Sequence, residues 1–159
     1  RFMSSEIQPE SSLSATSLNV GIVASRFNLS LVDSLLNRVT EKIAHNGNPK
    51  TLIIERVPGA HEIPSALSLL LAENRFSCMI ALGVILKGAT SHHHLVAESA
   101  GNAIQNLIIK YNTPIINGIV VTDTVIEAEE RIIGKLDRGH EFAHAAIEMG
   151  HLHKKWTKT

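Results

Sequence analysis

A three-layer α/β/α fold around a four-stranded parallel sheet is what these 159 residues predict. Two observations carry that expectation. Four short apolar runs are each followed by a stretch with helical spacing. Each connection between runs is also long enough for a helical crossover, which strands need if they are to lie parallel.

The elements follow in order. Asn19–Ala24 is an apolar run with the character of a buried strand. From Ser30 to Asn46, Leu31, Leu35, Leu36, Val39 and Ile43 fall on one helical face, and Gly47 and Pro49 stop the helix. Thr51–Arg56 predicts a second strand. Glu62 to Asn74 predicts a helix that tolerates Pro64 in its first turn. Cys78–Val84 is the third strand, and His93 to Tyr111 is a long helix carrying Val96, Ile104, Leu107 and Ile108. Pro114–Val121 is the fourth strand, and two helices are expected over Val125–Lys135 and His140–Lys154.

Composition narrows the class. The length suits one domain, and a hydrophobic fraction of 44% can fill a core. Residues 1–17 are polar and serine-rich and predict a flexible arm, with a single domain over 18–159. The formal net charge is zero, so no strong basic field draws the chain to nucleic acid. No apolar run is long enough to span a bilayer, so no membrane is expected as a partner. One cysteine, Cys78, forbids an internal disulfide, and a cytoplasmic location is the expectation.

In open α/β sheets, ligands bind beyond the carboxyl ends of the strands. The unusual polar residues of this chain gather in the four segments expected there. Phe27 follows the first strand, and Ala60, His61 and Glu62 follow the second. Ile85 and Leu86 lead into Lys87, Gly88, Ala89, Thr90, Ser91 and His92 after the third, and Thr122-Asp123-Thr124 follows the fourth.

Each candidate has a plain reading beside its chemical one. Thr90 and Ser91 open a helix, where free N–H groups can hold an anion. Taken alone, they fit ordinary capping better. His92 is placed for proton transfer near neutral pH, or is simply polar in a first helical turn. Phe27 can stack on a planar heterocycle, although a core aromatic is commoner. Glu62 can accept from hydroxyls, or complement a helix dipole. Arg131 can fork a phosphate, or pair with Glu127 one turn earlier. His92, His93 and His94 fan around a helix and cannot all face one ion. His140 and His144 have metal-ligand spacing without the accompanying Glu, so no metal is expected. Cys78 reads as a buried, inert thiol.

Together these segments resemble the lumazine synthase family. The similarity runs from about Gly21 to Leu152: Gly21-Ile22-Val23 with Arg26-Phe27-Asn28, Val57-Pro58-Gly59-Ala60 with Glu62-Ile63-Pro64, and Gly83 through Lys87-Gly88-Ala89-Thr90-Ser91-His92. Asn117-Gly118-Ile119 with Thr122, Glu130-Arg131 and Ala146-Ile147-Glu148-Met149 complete it. The resemblance implies a flavodoxin-like fold and a condensation in riboflavin biosynthesis without cofactor. In it, 5-amino-6-(D-ribitylamino)uracil and 3,4-dihydroxy-2-butanone 4-phosphate give 6,7-dimethyl-8-ribityllumazine, phosphate and water.

By the same resemblance, Phe27 stacks on the pyrimidine, and Ala60, His61 and Glu62 line the ribityl chain. Val84, Ile85, Leu86 and Asn117 meet the pyrimidine. Ala89, Thr90 and Arg131 hold the phosphate, and His92 transfers protons. It also implies homopentamers, or assemblies of pentamers, with Asn117 and Arg131 donated across a subunit boundary. The chain departs from the common family pattern at His61, His93, His94 and Lys87. Two other classes stay open on the residues alone: a non-catalytic flavin-binding or assembly protein on the same scaffold, and a nucleotide-binding module. The absence of a Gly-x-Gly-x-x-Gly after the first strand speaks against a dinucleotide version of the latter.

Overall fold

The apolar runs form strands that pair side by side in one direction. A computed structural model describes residues 13–88 and 92–157. Its strands are β1 (Asn19–Ser25), β2 (Thr51–Val57), β3 (Cys78–Leu86) and β4 (Ile115–Thr122). They make one parallel sheet in the order β2-β1-β3-β4. The helices are α1 (Leu29–His45), α2 (Ile63–Glu73), α3 (His92–Tyr111), α4 (Val125–Ile133) and α5 (Arg138–Thr157). A 3₁₀ turn over Ala60–Glu62 precedes α2.

Strand side chains alternate between two cores. Val20, Ile22 and Ala24 of β1, with Cys78, Ile80, Leu82 and Val84 of β3 and Val120 of β4, pack against α1, α4 and α5. Val23, Met79, Ala81 and Ile115 point the other way, to Ile63, Leu67 and Leu71 of α2 and Ile104 of α3. The three layers follow from that period of two, because each face of the sheet must be covered. Crossovers are right-handed, and the chain order reverses direction between β1 and β3. The helix after β1 therefore lies on one face and those after β2 and β3 on the other.

The expected elements are all present, with moved ends. β3 runs two residues past Val84, so Ile85 and Leu86 are paired strand rather than loop. Their backbone groups continue the ladder to Val121 and Thr122, which outweighs the loop character of the Lys-Gly that follows. The helix expected from Glu62 begins as the 3₁₀ turn, and the α-helix proper starts at Ile63.

Residues 13–17, expected as the end of a flexible arm, pack on the domain instead. Ala15 is fully buried, and its N–H donates to the Asn46 carbonyl at 3.0 Å. Asn46 Nδ2 donates to the Leu13 carbonyl, His151 Nε2 to the Ser14 carbonyl and Lys154 Nζ to the Ser17 carbonyl. The polar composition hid this, because the segment is held chiefly through its carbonyls. The first part of that arm, residues 1–12, lies outside the described residues.

Two features of the core make predictions. A Cβ on Gly118 of β4 would lie 2.8 Å from the Ala81 carbonyl oxygen and 3.0 Å from the Phe142 ring. Gly118→Ala should therefore cost about 1–3 kcal/mol in urea unfolding, with the slope unchanged. Burial pushes the Cys78 thiol up to about 12 from 9.0. An unfolded chain ionises this thiol first, so its contribution favours the fold less and less as pH rises from about 9 toward 12. Cys78→Ala should reduce the alkaline loss of stability by up to roughly 1.4 kcal/mol per pH unit over that window, read by denaturant titration.

Candidate active site

The carboxyl ends of β1, β2 and β3 converge on Gly83. A Cβ there would meet Ser25 Oγ at 3.2 Å, Ile63 at 3.4 Å and Ala60 at 3.7 Å. The chain leaving β1 is tied to the chain leaving β2 by two backbone bonds, Arg26 N–H to the Val57 carbonyl at 2.7 Å and Phe27 N–H to the Pro58 carbonyl at 3.0 Å. Phe27 then projects its ring outward with 73% of its surface exposed. It is not a core aromatic, so an apolar ring is left largely uncovered at the mouth of the sheet among the described residues.

Polar clamps hold these segments. Arg56, on β2, donates from Nε to the Ala24 carbonyl at 3.3 Å and from Nη2 to the Ser25 carbonyl at 3.0 Å. Its Nη1 meets Asp33 Oδ1 of α1 at 2.8 Å. One planar fork thus caps the end of β1, as guanidinium geometry allows and an ammonium does not. Asn28 takes the left-handed conformation with φ 61°, and its Nδ2 donates to the Val84 carbonyl at 2.8 Å.

Glu62 is half-buried in the 3₁₀ turn, and one carboxylate oxygen accepts the Gly59 N–H at 3.0 Å. The other lies 3.6 Å from His61 Nδ1. The dipole reading of Glu62 is thus partly realised, since the carboxylate does hold an early amide. It still has an oxygen for a further partner. Ala60 is buried beneath the turn, whereas the His61 side chain is exposed. Across from them, the 3₁₀ turn touches α3, whose first residue is His92, exposed at the helix start.

Lys87 extends β3: its N–H donates to the Thr122 carbonyl at 2.9 Å, and its Nζ pairs with Asp123 at 2.9 Å. An ion pair therefore stands where β3 and β4 end. Ala89 and Thr90, the expected phosphate contacts, lie with Ser91 outside the described residues. Arg131 does not make the one-turn pair with Glu127. Its Nη1 reaches the Val121 carbonyl at 3.4 Å, while Glu127 accepts the Asp123 N–H.

Phe27, Ala60, Glu62, Val84 and the start of α3 share one mouth. Asn117 does not join them. It pairs in register with Ala81, three residues before Val84, so it sits roughly 10 Å down the strands from that carbonyl. It opens instead into a groove of about 580 Å³ beside β4, lined by Gly101 and Gln105 of α3 and by Glu141 and Phe142 of α5. Val121, whose carbonyl Arg131 holds, lines the same groove.

Several polar groups had no role in the sequence reading. The most enclosed charged group among the described residues is Arg138, 2% exposed and paired with Glu141 at 2.6 Å on the rim of that groove. Its signal was weak, because a lone Arg next to Gly139 looks like a helix start. Nor did spacing reveal Arg56 or Asn28, whose partners are 23 to 56 residues away. Among the described residues, no three His, Cys, Asp or Glu side chains gather as for a metal ion. His140 instead pairs through Nδ1 with Asp137 at 2.9 Å. No helix among these residues is long and apolar enough to cross a membrane.

Fold and mouth together define a doubly wound α/β protein, with an exposed aromatic ring and a carboxylate at the switch point of its sheet and a histidine at the start of α3. Comparison with known proteins makes the class specific. The family described as 6,7-dimethyl-8-ribityllumazine synthase matches residues 17–154. Proteins of that name from Aquifex aeolicus, Nitrosomonas europaea and a Polaromonas species are 39%, 37% and 35% identical to it. These matches cover 91%, 92% and 88% of this chain and 96%, 88% and 90% of the respective relatives. The chain belongs to the lumazine synthase family.

The Arg56 fork predicts a measurable loss. Arg56→Lys keeps the charge but cannot hold two carbonyls and Asp33 at once. It should lower unfolding stability by about 1–2 kcal/mol, and Asp33→Asn should cost less in the same urea titration.

Proposed function

We propose that this chain condenses 5-amino-6-(D-ribitylamino)uracil with 3,4-dihydroxy-2-butanone 4-phosphate to give 6,7-dimethyl-8-ribityllumazine, and that its working site is completed by a second copy of the chain. The observation that carries this reading is the shared mouth of Phe27, Glu62, Val84 and the start of α3, set in a chain of this family.

The roles follow from the groups. The exposed Phe27 ring takes the pyrimidine face, while Val84, Ile85 and Leu86 offer strand-end backbone to its edge. The outer oxygen of Glu62, the one near His61, accepts from ribityl hydroxyls beside Ala60. The phosphate rests at the start of α3, at Ala89 and Thr90, with Arg131 forking its oxygens.

The amine of the pyrimidine adds to the ketone, and loss of water gives an imine. Proton removal next to the imine carbon lets the carbon–oxygen bond to phosphate break, which releases inorganic phosphate. The former C3 hydroxyl, now part of an enol, tautomerises to a carbonyl, and the ribitylamino nitrogen closes the ring onto it with loss of a second water. Each step moves a proton, and the His92 imidazole is the group assigned to carry it. The sum is two waters and one phosphate with no net redox change, so the chemistry asks for no cofactor. Holding two reactive molecules together supplies much of the acceleration.

Asn117 and Arg131 suit a neighbour's site better than their own. Asn117 faces outward at the free edge of β4, away from the Phe27 mouth. Leu69, Leu95, Ile109 and Ile126 are 71%, 66%, 76% and 75% exposed, which is apolar surface for a partner copy to cover. The reading carries with it a homopentamer, alone or in larger assemblies, and a cytoplasmic location.

Lumazine formation by the purified protein, followed by absorbance without added metal, is the primary test. A rate no higher than the spontaneous reaction would refute the enzyme. His92→Ala should lower kcat by about 100-fold or more with little change in KM. Arg131→Met should raise KM for the phosphate-bearing substrate. The two variants should also complement: after dissociation and reassembly of an equal mixture, about a quarter of shared sites regain both groups. Activity that stays at the level of the separate variants would mean each chain builds its own site.

A further inference from the structure

The geometry points to Asn28 as a positioning residue that locks the aromatic platform to the tip of β3, and so sets the width of the slot that takes the planar substrate. This rests on the proposed condensation. It assigns a task to a residue that contacts neither reacting centre.

β1 and β3 pair only as far as Ala24 and Leu82. β3 continues to Leu86 beside β4, so Gly83–Leu86 have no strand on the β1 side. The sheet is split there, at its switch point. On the other flank, the chain leaving β1 is bonded to the β2 exit through Arg26 and Phe27. Toward β3, the bond that crosses the split is Asn28 Nδ2 to the Val84 carbonyl, at 2.8 Å and 56 residues distant in sequence.

The use of this side chain is unusual for its place. Asn28 is the N-cap of α1, where an asparagine ordinarily accepts from an amide of the first turn. Here it makes no side-chain cap. Its own carbonyl instead accepts from the Leu31 and Val32 N–H groups at 3.1 and 3.0 Å, and the amide is left for β3. The left-handed backbone, with φ 61° and ψ 51°, accompanies this turn toward the strand. Asparagine tolerates that conformation, and glycine adopts it freely.

Phe27 needs such a lock. With 73% of its surface exposed, its ring is not fixed by packing, so its distance from Val84–Leu86 depends on the backbone it hangs from.

Three proteins separate the roles. Asn28→Gly keeps the left-handed turn and deletes the donor. Asn28→Asp keeps the shape but turns an acceptor toward a carbonyl. Dissociation constants for the ribitylaminopyrimidine alone, read by fluorescence titration, should rise about five- to tenfold in Asn28→Gly and further in Asn28→Asp. KM for the phosphate-bearing substrate should stay within about twofold in both, and the far-ultraviolet spectrum should be unchanged. Wild-type affinity in Asn28→Gly overturns the inference, and so does Asn28→Asp binding as well as wild type. Equal losses for both substrates overturn it too, because they mean a general loosening of the fold. A wild-type protein that binds no pyrimidine refutes the condensation reading itself, and this inference with it.

Discussion

The parallel ladder between β1 and β3 governs the molecule, because both strands are buried on both faces over residues 20–25 and 78–84. Val20, Ile22, Val23 and Ala24 are at most 1% exposed, as are Cys78, Met79, Ile80, Ala81 and Leu82. Such strands must sit in the middle of the sheet, which leaves β2 and β4 for the edges. Once β1 and β3 are neighbours, right-handed crossovers send α1 to one face and α2 and α3 to the other. The mouth between them is then unavoidable, since consecutive loops fold to opposite sides at that point. The site is a by-product of how the core is filled.

The same arrangement explains the distribution of polar groups. Where the β1–β3 ladder stops, strand-end carbonyls lack partners, and buried carbonyls need them. Arg56 serves Ala24 and Ser25, Asn28 serves Val84, and the Lys87 N–H meets the Thr122 carbonyl. Structural satisfaction and site construction are one operation here. Glu62 shows the overlap most plainly, with one oxygen holding the Gly59 amide and the other facing out. β2 is thinner in apolar cover, with Leu52 and Ile54 each 40% exposed. β4 borders an open groove. A sheet with two such edges and several large exposed apolar residues on its helices is built to have neighbours.

Much of this was legible in the residues. Helical spacing of Leu31, Leu35, Val39 and Ile43 placed α1 and named its buried face, because amphipathic period is a local property. The run Cys78–Val84 showed a strand, though not that it continues to Leu86, since strand ends are set by the partner's hydrogen bonds. Phe27 was ambiguous until burial could be seen. Residues 13–17 were misjudged because backbone carbonyls, invisible in composition, do the anchoring.

Local chemistry and order along the chain were thus enough for the layer architecture, the family and the polar loops at the carboxyl ends of the strands. Periodicity and motif order are written in neighbouring residues. The three-dimensional arrangement settled which strands are edges, that Asn117 opens into the groove beside β4, and that Asn28 and Arg56 spend their side chains on strands far along the chain. Those outcomes depend on pairing between distant segments, and hydrogen bonds across tens of residues leave no period in the sequence for a reader to find.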